Sequence, residues 1–348
     1  MPEALGRSVY LSETSGIPEG SLNPSGVPVF ISLHWAEEMD DTWNERVSAL
    51  CASLNRRGCR ILADISKRTL EALGVRTVSE VRNMLGLWAV RLDYGFELCE
   101  IKELLKEMPV VLNASMITEE EMKELEGQGE LLAMHNFYPR PETGLDEVYL
   151  KESTDALHRH GFQVLAFIPG TGELRGPIHE GLPTLEAHRH VTRLAAYADL
   201  VLNYGIDQVY VGDPELNEAD ERRISRFIRE GVLELECALN PGYEDLYDMV
   251  FTNRYDSPLG MLRAAESREL SMPSQRTVTK ENTAERTRGS ITMDNEGYLR
   301  YCGEVMICRK DYPRDERVNV IGRIREEDLP VLDLIGRGKR FVLKPVKE

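Results

Sequence analysis

Hydrophobic residues in the first two-thirds of the chain gather into short runs rich in Val, Ile and Leu, each closed by Gly, Asp, Asn or Pro. The runs fall at Ser8–Leu11, Val27–Leu33, Cys59–Ile65, Leu87–Leu92, Pro109–Leu112, Leu131–His135, Phe162–Ile168 and Gln208–Val211. Uninterrupted apolar runs of this length predict strands covered on both faces, as in a parallel sheet. Between the runs, apolar positions recur every three or four residues, which predicts helices. These lie over Asp40–Arg57, Lys67–Leu73 with Val78–Leu85, Glu97–Glu107, Thr118–Glu126, Asp146–His160, Leu185–Leu200 and Asn217–Glu230. Eight strands alternating with helical crossovers predict an α/β protein built on a (β/α)8 TIM barrel. Only the first crossover breaks the rule. Ser12–Gly26 carries Pro18 and Pro24 among glycines, a composition that predicts a loop rather than a helix.

The pattern changes after Gly231. Short segments at Val232–Cys237, Ser290–Met293, Gly297–Ile307, Arg317–Ile324 and Lys339–Val346 predict strands, with one short helix over Glu326–Leu334. The expected division is a barrel over residues 1–231 and a smaller, mostly-β domain over 232–348. Within the latter, Ser271–Arg288 is polar and without period, and predicts a long loop.

Composition and charge narrow the function classes. A chain of 348 residues, 42% hydrophobic and 29% charged, is a folded globular protein rather than a disordered or fibrous one. Its net charge is −17, and nearly all of the acidic excess lies before Gly231. Such a surface repels both nucleic-acid phosphates and an anionic membrane, so neither is the expected partner. A small anionic ligand would have to be held by a few well-placed arginines. No apolar run approaches the roughly 18–20 residues that a membrane span requires. The six cysteines, Cys51, Cys59, Cys99, Cys237, Cys302 and Cys308, show no CxxC and no paired spacing. They read as buried reduced thiols of a cytoplasmic protein, and Met1–Arg7 lacks the features of a secretion signal.

In a barrel of this kind the chemistry sits at the C-terminal ends of the strands. The third strand ends in Asp64, the fourth in Arg91 and Asp93, and the fifth in Asn113. His135, Asn136, Tyr138 and Arg140 follow the sixth, and Asp213 the eighth. The long segment after the seventh adds Arg175, Glu180 and Arg189. Each residue alone is open to a plainer role as a helix cap or loop hydrogen bond. Their convergence from several strands predicts a site. Asp64, Asp93, Glu180 and Asp213 form the pool for acid–base work, and a pair of carboxylates, one protonated and one ionised, is what glycoside hydrolysis requires. Arg91, Arg140, Arg175 and Arg189 are suited to phosphate or carboxylate through bidentate hydrogen bonds. Asn113, His135, Asn136 and Tyr138 are suited to sugar hydroxyls. No strand ends in Lys, which disfavours an aldolase, and no spacing marks a metal site, so neither metal nor cofactor is expected.

Three stretches are similar to a known bacterial family. They are His135-Asn136-Phe137-Tyr138-Pro139 with Thr143-Gly144-Leu145; Gly176-Pro177 with Glu180 through Arg189; and Arg288-Gly289, Asp294 through Tyr298 and Arg317 through Arg323. On these motifs the chain resembles the 6-phospho-N-acetylmuramidases over nearly its whole length. The resemblance implies a (β/α)8 barrel followed by a small cyclophilin-like β domain. It also implies intracellular hydrolysis of 6-phospho-N-acetylmuramyl-N-acetylglucosamine in peptidoglycan recycling. That substrate carries a phosphate and a lactyl carboxylate, which would give the rim arginines a purpose. Which two of the four carboxylates act stays open at this point. Two alternatives stay open as well: a glycosidase for another amino sugar, and a non-catalytic protein that binds or senses a sugar phosphate in the same cleft.

Overall fold

The computed structural model describes residues 4–11, 26–33, 42–93, 95–267 and 278–346. Apart from Gly26, the expected Ser12–Gly26 loop lies outside the described residues, as do positions 271–277 of the expected second-domain loop. The chain divides into two compact units, Met1–Glu221 and Arg222–Glu348.

The first unit is a closed barrel of eight strands, each parallel to its neighbours: β1 (Gly6–Val9), β2 (Pro28–Ser32), β3 (Arg60–Ile65), β4 (Ala89–Leu92), β5 (Val110–Asn113), β6 (Leu131–Met134), β7 (Gln163–Ile168) and β8 (Gln208–Val211). Around it lie α1 (Trp43–Arg56), α2 (Lys67–Leu73), α3 (Val78–Leu85), α4 (Leu98–Leu104), α5 (Glu119–Leu125), α6 (Glu147–Arg159) and α7 (Arg193–Leu202), and α8 (Glu218–Glu230) runs across the boundary into the second unit. Local sequence sets many of the boundaries. Ser66, Thr77 and Thr118 open α2, α3 and α5 by accepting the third backbone N–H of each helix. Gly74 and Gly86 close α2 and α3 in the left-handed conformation. One expected helix is corrected. Leu185–Leu200 is not continuous, because Leu185 bridges Leu145 and Thr192 caps a new helix at Arg193.

Side chains alternate along each strand, so every second residue points into the barrel. Phe30, Leu62, Ala89, Val111, Leu132, Met134, Leu165, Phe167 and Tyr210 fill that interior. Phe30 meets Phe167 edge-on with ring centroids 5.5 Å apart. Tyr210 takes the space opposite β1, where a Cβ on Gly6 would lie 2.4 Å from its ring. Only glycine fits there.

The second unit is a seven-stranded sheet in the order β10-β15-β9-β14-β12-β13-β11. Its strands are β9 (Val232–Leu239), β10 (Val250–Thr252), β11 (Met261–Arg263), β12 (Ser290–Asp294), β13 (Val305–Cys308), β14 (Val318–Ile324) and β15 (Arg340–Pro345), with a short helix α9 (Leu329–Leu334). The chain after Arg222 belongs here because Arg223, buried, donates to Asp328 and to the Glu234 carbonyl. The expected strand Gly297–Ile307 is shorter than its apolar pattern implies. Glu296–Tyr301 coils into a tight helical turn capped by Asn295, and pairing begins only at Val305. Strands β10 and β11 were not expected, since three residues are too few to show a period.

All six cysteines are free, but only Cys51, Cys237 and Cys308 are buried, and Cys99 is exposed. Among the described residues no helix is long and apolar enough to cross a membrane.

Candidate active site

The strand alternation that fills the barrel also builds its mouth. Two residues beyond an inward apolar side chain, the next inward position lies at the C-terminal rim. Phe30 leads to Ser32, Leu62 to Asp64, Val111 to Asn113 and Met134 to Asn136, while Ala89 leads through Arg91 to Asp93. These rim residues line a cleft of about 240 Å³ together with Phe137, Tyr138 and Phe167. Of the expected site residues, Asp64, Arg91, Asp93, Asn113, Asn136 and Tyr138 therefore share one cavity.

Asp64 and Arg91 stand opposite each other in the β3–β4 register, both almost fully buried. Arg91 donates to Asp64 Oδ2 at 3.0 Å and, through its other terminal nitrogen, to Asn136 Oδ1 at 2.6 Å. One guanidinium thus fixes a carboxylate and an amide on the cleft wall. Asp93 is different. It is half-buried, and its carboxylate makes no hydrogen bond or ion pair among the described residues. Asn113 turns its side-chain oxygen onto the Ser115 amide. Burial pushes the Tyr138 phenol up from its ordinary range, so it stays a neutral donor.

The remaining expected residues are elsewhere. His135 points out of the barrel because it sits one position off the inward register. It is fully buried against α6, its Nε2 3.2 Å from Thr154 Oγ1, and burial pushes its imidazole down to about 4. Asp213 is also buried, and its two oxygens accept the backbone amides of Gly170, Leu182 and Arg175 at 2.7, 3.0 and 3.0 Å. It anchors the long segment after β7 and has no face toward the cleft lining. Glu180 is exposed, and the Arg189 guanidinium bonds its backbone carbonyl rather than its carboxylate. Arg189 itself is buried and spends its donors on Glu186 and on four carbonyls. The Arg175 guanidinium lies 3.6 Å from the centre of the Tyr10 ring. Arg140 is exposed, with no side-chain partner among the described residues.

Several cleft residues escaped the sequence reading. Ser32, Phe30, Met134, Phe137 and Phe167 line the cavity. Counting inward from the strand ends by twos would have found Ser32 and Met134. Among the described residues no group of three or more His, Cys, Asp or Glu side chains is arranged to hold a metal ion.

Comparison with known families decides the class. The family model described as 6-phospho-N-acetylmuramidase, N-terminal, matches residues 5–226, and the one described as 6-phospho-N-acetylmuramidase, C-terminal, matches residues 233–344. The chain belongs to the 6-phospho-N-acetylmuramidase family. It is accordingly an enzyme, a glycosidase. A conserved Enterococcus faecalis protein described as of unknown function is similar in structure, with 32% identity and a TM-score of 0.83 over 98% of this chain and 96% of that one. An uncharacterised B. cereus protein shares the fold at 22% identity, with a TM-score of 0.80 over 99% of this chain and 100% of the other. None of the curated proteins matches the chain. Within this 6-phospho-N-acetylmuramidase family member, the cleft at the mouth of the barrel is where two carboxylates, two asparagines and a phenol meet.

Proposed function

We propose that this protein hydrolyses the glycosidic bond of 6-phospho-N-acetylmuramyl-N-acetylglucosamine, with Asp64 and Asp93 as the working carboxylates. The observation that carries this reading is the asymmetry of the pair in one cleft: Asp64 is ion-paired to Arg91, whereas Asp93 has no ion pair among the described residues. Glycoside hydrolysis needs such a division, one carboxylate to meet positive charge at the anomeric carbon and one carboxyl group to protonate the leaving oxygen. Asp93 donates its proton to the glycosidic oxygen as the bond to C1 breaks. Asp64, held by Arg91, either attacks or assists water at C1, or orients the substrate's own 2-acetamido oxygen for that attack. Water supplies the hydroxyl to C1 and a proton back to Asp93, and the products are N-acetylglucosamine and 6-phospho-N-acetylmuramic acid.

Asn113, Asn136 and Tyr138 hold sugar hydroxyls in this scheme. Phe137 and Phe167, edge-on to each other at 5.1 Å, offer an apolar wall to the ring face. Arg140, with its guanidinium uncommitted among the described residues, is the arginine we assign to the phosphate or lactyl group. Asp64→Asn and Asp93→Asn test the scheme. Each should lower kcat by at least about a hundredfold; Asp93→Asn should melt like the wild type, whereas Asp64→Asn should also melt earlier because it leaves the buried Arg91 without its counter-charge. Retained turnover in both variants would refute it, and retained sugar binding by a wild-type chain that never cleaves would favour the sensing alternative.

A further inference from the structure

The glycosidase scheme leaves unused two of the most heavily bonded side chains of the rim, Glu186 and Arg189. Neither lines the cleft. Glu186 accepts the backbone amides of Glu142 and Gly144 at 2.9 and 2.8 Å, and takes the Arg189 guanidinium on both oxygens at 2.7 Å. That double hydrogen bond holds its carboxyl down at about 2. Arg189 in turn donates to the carbonyls of Tyr138 and Arg140 on one side, and of Glu180 and Gly181 on the other. The two residues thus join the segment after β6 to the segment after β7.

The fit is close enough to strain the chain. Glu142 adopts a left-handed φ of 67°, a conformation a glutamate keeps only where its surroundings enforce it. A Cβ on Gly144 would lie 2.6 Å from Glu186 Oε2, so only glycine admits the carboxylate there. The same seam continues into the cleft. The Tyr138 amide donates to the Pro183 carbonyl at 2.9 Å, and the Thr184 hydroxyl to the Asn136 carbonyl at 2.9 Å. Asn136 then meets Arg91, and Arg91 meets Asp64.

We propose that Glu186 and Arg189 are positioning residues: by locking these two segments together they set Asn136 and Tyr138 for the sugar without touching it. This rests on the assignment of the cleft as the active site. A displacement of about 1 Å at such a position is enough to cost up to a hundredfold in rate. The test uses the full chain and 6-phospho-N-acetylmuramyl-N-acetylglucosamine, with initial rates measured across substrate concentration for Glu186→Gln, Arg189→Lys, Gly144→Ala and Asp93→Asn. Lysine cannot reproduce the forked set of bonds, and Gly144→Ala pushes on the same lock from the other side. The expected result is a KM raised tenfold or more in the first three variants, with a smaller fall in kcat. A merely structural role would reduce the amount of active enzyme, scaling the apparent kcat and leaving KM alone. Wild-type KM in any folded variant of the three, with Asp93→Asn inactive, overturns the positioning role alone. An uncleaved disaccharide with the wild-type chain, or wild-type turnover by Asp93→Asn, removes the active-site assignment and this proposal with it.

Discussion

Replacing Asp213 with alanine would remove one acceptor from three backbone amides at once. Gly170, Arg175 and Leu182 all donate to it, and it is only 1% exposed. Each buried donor left without a partner costs about 1–3 kcal/mol. Water entering the space vacated by the carboxylate offsets part of this, which leaves about 3–5 kcal/mol. For a unit of this size each kcal/mol lowers the melting temperature by about 2–4 °C, so a fall of about 10 °C is expected. Asp93→Asn is the matched comparison, because the Asp93 side chain has no partner to lose among the described residues. Its expected cost is below about 0.5 kcal/mol. Calorimetric melts and steady-state rates on both variants separate the roles. Asp213→Ala should melt early and lose activity through a raised KM, whereas Asp93→Asn should melt like the wild type and lose kcat. An Asp213→Ala variant with unchanged melting temperature and a hundredfold lower kcat would make Asp213 a reacting carboxylate and refute the anchoring role.

Two further predictions concern pH, and their signs are opposite. In the second unit, burial with the Glu304 charge nearby pushes Asp294 from 3.8 up to about 7, so the folded form keeps a proton that the unfolded form releases. Stability falls as pH rises from about 4 to about 7, and Asp294→Asn should recover up to about 4 kcal/mol at pH 8 but little at pH 4. Melts of the variant that show no gain at pH 8 would contradict this. In the barrel, burial holds His135 down from 6.5 to about 4, so the unfolded form takes up the proton first. Its contribution is complete above pH 6.5 and is lost as pH falls from there to about 4, amounting to about 3 kcal/mol. His135→Gln should melt with a flatter pH profile than the wild type over that range, and parallel profiles would count against the buried neutral imidazole.

The eight strands were legible because both-face burial leaves an unbroken apolar run, and their helices because apolar positions between the runs recur every three or four residues. Asp64, Arg91, Asp93, Asn113 and Asn136 were legible for the same reason, since a polar residue ending an apolar strand is easy to see. The direction of a side chain was harder. His135 and Asn136 are neighbours in sequence, yet one faces α6 and the other the cleft. Strand register decides which, and it depends on all eight strands closing together. Asp213 and Arg189 were misplaced for another reason. Asp213 is occupied by three backbone amides, and Arg189 by Glu186 and four backbone carbonyls, and main-chain groups leave no signal in the residue type. Glu186 was passed over as part of an expected helix, whereas its carboxylate accepts the Glu142 and Gly144 amides from the segment after β6.

The proposed activity is cleavage of a phosphorylated muramyl disaccharide in the cleft that holds Asp64 and Asp93. Its most direct test is incubation of the purified chain with 6-phospho-N-acetylmuramyl-N-acetylglucosamine and with the unphosphorylated disaccharide, with products read by mass. Release of N-acetylglucosamine from the phosphorylated sugar by the wild type, and none by Asp93→Asn, is the predicted result. Cleavage of neither sugar by a chain that is folded and stable would contradict it.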